Sequence, residues 1–440
     1  MQYRSTRGDI PVSLDEAMVL GIADNGGLFL PSELPAFDDK AFIGVDSMHD
    51  VASAFLRPFF EGSSLVAELD DIVSETFRFP IPMSSMPFED GYCGILELFH
   101  GPTAAFKDVG AGFLAACLSR LEGDPDNPLT ILVATSGDTG GAVAAAFDGR
   151  AGMRVAVLYP YGRVSDRQAH QLTCWSENVL SLAVKGTFDD CQGLVKGAMG
   201  DASLSALHRF SSANSINIGR LLPQCIYYAH SALMHYHATS RKPSYIVPTG
   251  NLGNAFACYL AREMGLPIGD IILATNANRT IVDYLDSLEW SPRTSVQTLA
   301  SAMDVGNPSN MERLRSHGGD ANSLARQVRA TSVSDDEIRA EILRVFAEFD
   351  RVVCPHTATA TFAWHSLTTE EKRTQDWILA GTAHASKFEQ IVEPIIGQLV
   401  PVPDELAGIL SRRRRFVTIE PTTVSYTHLR AHETRQDLVC

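Results

Sequence analysis

From Leu129 onward the chain alternates short, continuously apolar runs with helix-patterned ones, and this rhythm constrains the fold more than any other feature. "LTILVAT" (129–135) reads as a buried strand and "GGAVAAAFDG" (140–149) as a helix of small residues. "RVAVLYP" then "SDRQAHQLTCW", and "NVLSLAV" then "DDCQGLVKGAMGD", repeat the pair, with Ser165 placed as an N-cap. After "FSSANSINIGRLLPQ" a long helical stretch runs to about His237, and "SYIVP" opens a second series containing "NAFACYLAREMG", "DIILATN" and "RTIVDYLDSL". Apolar strands of this length alternating with helices mean β-α units and parallel sheet, because such strands are buried on both faces. Two series predict an α/β protein of two parallel-sheet lobes with a cleft between them.

The boundaries follow from that rhythm. Residues 1–95 form an irregular N-terminal segment, with "DNGGLFLPSELP" reading as loop and "MHDVASAFLRPFF" as helical. Residues 96–238 and 239–423 are expected to form the two lobes. At 440 residues, 45% hydrophobic and 20% charged, the chain can bury a large core. A net charge of −16 argues against a nucleic-acid surface, whose footprint is basic. No apolar run reaches the length of a membrane span and no signal-peptide core is visible, so a cytoplasmic protein without membrane partners is expected. Eight cysteines without a C-x-x-C pair read as reduced, mostly buried thiols, and no metal site is expected. The basic run "LSRRRRFV" (410–417) reads as a solvated face.

Three stretches carry chemistry, each where a strand is expected to give way to a helix. In "VPTGNLGNAFACYLA" (247–261) Gly250 and Gly253 let backbone N–H groups converge where a helix begins, a phosphate cradle that needs no lysine. It lacks the G-x-x-x-x-G-K-[ST] pattern of a P-loop, and an ordinary glycine-rich turn reads equally well. "VATSGDTGGAVAAAF" (133–147) follows the same logic, and Ser136 and Thr139 add hydroxyls for a second anion; alone it also reads as a simple helix cap. In "LFHGPTAAFKDVGAGF" (98–113) Lys107 sits among Phe106 and small residues, where low polarity favours the neutral, nucleophilic amine. Most lysines are solvated surface charges, and this one alone proves nothing. "GAGFLA" (110–115) matches a dinucleotide fingerprint, but no strand precedes it, and that reading is discarded.

Together the three say more. A carbonyl-capturing lysine beside a phosphate cradle is what pyridoxal 5′-phosphate requires, since that cofactor is an aldehyde with a phosphate handle. The second anion seat then serves a substrate.

"YRSTRG", "DNGGLFLP", "FHGPTAAFKDVGAGF", "ATSGDTGGAV", "NSINIGR", "PTGNLGNAFA" and "GTAHASKFEQIV" resemble, in order, the signatures of the threonine synthases, over about residues 1–420. The resemblance implies a fold type II pyridoxal-phosphate enzyme, tryptophan-synthase-β-like in architecture. It implies conversion of O-phospho-L-homoserine and water to L-threonine and phosphate, by a monomer or homodimer. Carried over by position, Lys107 would bind the cofactor covalently, Gly250, Asn251, Leu252, Gly253 and Asn254 would hold its phosphate, and Thr382 would face the pyridine nitrogen. Ser136, Gly137, Asp138, Thr139, Asn217 and Arg220 would bind the substrate's carboxylate and phosphate. His100 and His384 rank below the lysine. Leu252 stands where the family usually has an aromatic residue. Rival readings are a threonine dehydratase or a phospholyase releasing 2-oxobutyrate, and, from another class, a silent homologue that only binds cofactor or phosphate. Residues 424–440, "VSYTHLRAHETRQDLVC", lack an apolar period and are expected to be non-native or disordered.

Overall fold

The protein was analysed as a computed structural model, which describes residues 1–38, 41–42, 44–87 and 91–422. The expectation for residues 424–440 falls outside the described residues. Two sheets organise the chain. The larger runs Arg329–Ser332, Ile271–Thr275, Pro243–Pro248, Asp376–Gly381, Cys93–Glu97, Met83–Met86. All its neighbours are parallel except Met83–Met86 against Cys93–Glu97. The smaller runs Val417–Ile419, Val179–Val184, Met153–Pro160, Leu129–Ala134, Arg209–Ser212 and is wholly parallel. Every residue of Leu129–Ala134, Pro243–Pro248, Ile271–Thr275 and Asp376–Gly381 is buried, as strands covered by helices on both faces must be.

The two sheets confirm the α/β reading, but their strands do not follow the expected segment boundaries. The strand Cys93–Glu97 straddles the boundary at residue 95 and pairs with Asp376–Gly381, in the sheet of the C-terminal segment. Val417–Ile419 returns from that segment to the edge of the other sheet. Both are pairings between strands more than 200 residues apart, which local pattern does not encode. Part of the stretch read as loop, Phe29–Pro31, is a strand antiparallel to Tyr3–Ser5.

The helix Ile218–Thr239 holds the centre. Residues on several sides of it are buried, and it packs against the helices Lys107–Glu122, Gly253–Glu263 and Met48–Leu56. Ser165 caps Asp166–Thr173 with a reciprocal bond from Gln168, as the sequence indicated. The seven cysteines among the described residues are buried and unpaired. No helix among the described residues is long and apolar enough to cross a membrane.

Candidate active site

A cavity of about 410 Å³ opens between the sheets. Three helices start at its wall: Lys107–Glu122, Asp138–Phe147 and Gly253–Glu263. None of the three is capped by the side chain of its N-cap residue. Gly253–Glu263 leaves its first amides and the positive end of its dipole for an anion, whereas Gly140 N in Asp138–Phe147 donates to Thr135 Oγ1 and Asp108 N in Lys107–Glu122 to Ala105 O. The cavity wall carries Lys107, Lys196, Arg220 and Arg293 beside Asp138, Asp189 and Asp304.

Lys107 opens the first of these helices. The turn before it is stitched to the chain that follows Asp376–Gly381: Phe106 N donates to Thr382 O (2.9 Å) and His384 N to Ala104 O (3.0 Å). Ala104 has φ +54°, a left-handed conformation that costs a non-glycine residue about 1 kcal/mol or more. Leu252, in the opposite cradle, has φ +65°. The other three non-glycine residues of positive φ, Ser240, Leu288 and Asp350, merely end helices. Among the described residues, Ala104 and Leu252 instead sit in the loops that lead into Lys107 and Gly253. Protein packed around the Lys107 amine lowers its pKa to about 8; Asp138 opposes that shift, while Lys387 and Arg220 add to it.

In the cradle Gly250 is obligatory for a spatial reason. A Cβ there would lie 2.6 Å from Met303 Cα. The facing turn cannot easily retreat, because Ala302 N donates to Nε2 of His356 (3.0 Å). Burial pushes that imidazole down to about 4, so it is a neutral acceptor. Asn251 is clamped by Ser215 and Ser309, and Asn310 donates to Asn251 O (3.0 Å). Asn254 accepts from Tyr227 and Tyr228, whereas its buried Nδ2 has no partner. Thr382 has its N–H fixed by Thr357 Oγ1 (3.2 Å), and its own buried Oγ1 is likewise unpartnered.

Arg220 enters from the central helix. It is buried, its guanidinium donates to Ala213 O, and its Nε has no partner among the described residues. Burial pushes its pKa down to about 10, with Asp108 opposing, so it is still a cation at neutral pH. Gly110 makes room for it, since a Cβ there would lie 2.9 Å from Arg220 Nε; the discarded "GAGFLA" glycine is a packing site.

The structure therefore gathers Lys107, Ser136, Asp138, Thr139, Arg220, Gly250 to Asn254 and Thr382 around one cavity. Two residues expected in the substrate site are engaged in other contacts. Asn217 lies outside the cavity wall: its Oδ1 caps Gly219 N, and its Nδ2 donates to Met18 O and Ser212 O. Its amide is consumed in bracing the N-terminal segment. Gly137 gives its N–H to Thr135 Oγ1 (3.0 Å) and has φ +139°, with a Cβ barred by Gln168 at 2.7 Å. It is a turn residue. Asp138 lines the wall, but as an anion; its carboxylate is taken by Lys387 (2.8 Å) and Gln168 (3.0 Å). A carboxylate cannot seat another anion, so only its backbone is available for that task. His100 pairs with Glu97 (2.7 Å) and His384 caps Ser386, both away from the wall.

Sequence reasoning missed Lys387, His356, Ser215 and Asn310. Lys387 stood inside the quoted "GTAHASKFEQIV", but nothing local distinguishes a buried lysine from a surface one.

Comparison with known proteins places these features. The family described as pyridoxal-phosphate dependent enzyme matches residues 95–379, the threonine synthase N terminus residues 2–77, and the threonine synthase C-terminal family residues 357–428. The chain is 37% identical over 401 residues to threonine synthase of Escherichia coli (strain K12), covering 90% of this chain and 91% of that one. Pyridoxal-phosphate-bound threonine synthase from Brucella melitensis superposes with TM-score 0.89 at 33% identity, over 98% of this chain and 99% of the other. Threonine synthase from yeast gives 0.90 at 29% identity, over 99% of each chain.

Proposed function

Since the chain belongs to the threonine synthase family, we propose that it converts O-phospho-L-homoserine and water to L-threonine and phosphate with pyridoxal 5′-phosphate as cofactor. The observation that carries the reading is the pair of cations in one cavity: Lys107, whose amine is readily neutral, and Arg220, buried with no carboxylate paired to it among the described residues. A buried guanidinium with an unpartnered N–H calls for an anion.

The residues fit the cofactor on their own geometry. The uncapped helix Gly253–Glu263 and the free Nδ2 of Asn254 suit its phosphate, and the orphaned Oγ1 of Thr382 suits its ring nitrogen. A hydroxyl there leaves the ring neutral, a weaker electron sink than an aspartate would make. When bound, the cofactor supplies stabilisation of the electron pair left at Cα when its proton is removed.

The rest falls to the chain. In the net change the Cγ–O bond breaks and phosphate leaves; Cβ loses a proton and gains hydroxyl from water, and Cγ gains a proton to become methyl. Lys107 is the base suited to moving these protons, being neutral and cationic by turns near pH 8. Arg220, with the hydroxyls of Ser136 and Thr139 and the N-terminus of Asp138–Phe147, is positioned for the substrate's carboxylate and phosphate. Incubating purified protein with O-phosphohomoserine and separating the products tests the reading. Threonine and phosphate in equal amounts are expected; phosphate with 2-oxobutyrate and no threonine would assign the phospholyase instead, and no turnover the silent homologue.

Two further results are expected. Gly250→Ala forces a methyl against Met303, an overpacking of about 1–3 kcal/mol, and should raise the Kd for pyridoxal phosphate about ten-fold or more. Spectrophotometric titration checks this, and unchanged affinity would make the loop a mere turn. The pH dependence follows from Lys107. Below about 8 the amine is protonated and cannot attack the aldehyde, and above it the neutral form dominates. Cofactor loading of protein stripped of it should accelerate as pH rises through about 8 and then level off. A rate that is flat over that range would place the captured amine elsewhere.

A further inference from the structure

Among the described residues, Lys387 is the buried lysine that the reaction as drawn leaves without a task. Its side chain is 0% exposed, and its partner Asp138 is 4% exposed. Nζ reaches Asp138 Oδ1 at 2.8 Å and Thr103 O at 2.7 Å. Those contacts join three separate segments: the turn after Asp376–Gly381, the start of Asp138–Phe147, and the turn that leads into Lys107. Further bonds reinforce the joint. Gln168 Nε2 donates to the same Asp138 oxygen (3.0 Å), and Gln171 Nε2 to the same Thr103 carbonyl (3.1 Å). Thr103 immediately precedes the strained Ala104.

We propose that Lys387 is a positioning residue for this reaction: paired with Asp138 and anchored on Thr103, it fixes the Lys107 turn and balances the charge that the Lys107 amine faces. The inference rests on Lys107 being the amine that captures the cofactor.

A buried ion pair is by itself weak evidence for stability, because its desolvation offsets its attraction. What it faces explains it better. The charged and titratable groups acting on Lys107 are Asp138, Lys387, Arg220 and His356, the last neutral at physiological pH. Of these only Asp138 is an anion, and it stays one: burial would push its pKa up, but Lys387 first, then Lys107 and His356, hold it well below the usual carboxylate range. Without Lys387 that carboxylate would act on Lys107 alone and favour the inert ammonium. Without Asp138 the charges left acting most strongly on the amine are the cations Lys387 and Arg220, with Asp189 and Asp304 elsewhere on the cavity wall. The pair lets a fixed carboxylate stand beside the amine without locking it in the charged form.

The test is the pH profile of cofactor loading, using full-length protein stripped of pyridoxal phosphate, with the cofactor itself as probe and absorbance as readout. Neutral polar replacements remove the charge: Asp138→Asn is near-isosteric, and Lys387→Gln is one atom shorter and keeps a donor. Lys387→Gln should move the loading midpoint to higher pH, and Asp138→Asn to lower pH, each by about one unit or more. The double variant should return close to the parent. A part in packing alone would not give shifts of opposite sign. Loading in all variants with one unmoved midpoint would overturn the inference. So would two singles whose midpoints move in the same direction, or, if neither single folds, a double variant whose midpoint departs from the parent's. Should one single fail to fold, the other decides by the sign of its shift. Absence of loading in the parent protein would instead defeat the functional reading beneath it.

Discussion

Lys107→Ala should abolish threonine formation, by at least about 1,000-fold, the scale set by losing a positioned proton carrier. The fold should survive, because the turn is held by backbone bonds, Phe106 to Thr382 and His384 to Ala104, that the side chain does not make. Cofactor affinity should fall less than turnover does, since the phosphate cradle at Gly250 to Asn254 lies on another segment. Borohydride should fix the cofactor to the peptide containing residue 107 in the parent protein and to no defined site in the variant. Near-normal activity in the variant would end this account of the site.

Lys387→Met should be the most destabilising single change in the site. It leaves Asp138 buried and unpaired, and breaking a buried pair from one side costs about 3–5 kcal/mol, a large part of a typical folding stability. Lys387→Met combined with Asp138→Leu should recover most of that loss, because no lone charge remains. Urea unfolding of the parent and the two variants checks it. Equal stability of the single variant and the parent would mean that water reaches Asp138, and that the joint between the three segments is looser than it is drawn.

The legible and illegible parts of this molecule divide by sequence distance. The strands Leu129–Ala134 and Ile271–Thr275 announce themselves as apolar runs, and the loops before Asp138 and Gly253 as glycines at a strand-to-helix turn. Those signals are local. The pairing of Cys93–Glu97 with Asp376–Gly381 is not, nor is the ion pair of Lys387 with Asp138, whose partners lie 249 positions apart. Arg313 reads as a surface charge yet is wholly buried, bonded to Phe29 O, Ile216 O and Asn310. It thereby ties the N-terminal segment to the wall of the cavity. Asn217 lay in a recognised motif and its side chain serves as the N-cap of Ile218–Thr239; an N-cap and a ligand have the same residue type, so the sequence does not separate them.

Those local signals and long-range contacts converge on one claim, that the cavity breaks the Cγ–O bond of O-phosphohomoserine and adds water at Cβ. Running the reaction in water labelled with oxygen-18 tests it directly. The account predicts the label in the hydroxyl of threonine and none in the released phosphate, which keeps its bridging oxygen. Label in the phosphate, with homoserine as the organic product, would mean hydrolysis at phosphorus and would contradict it.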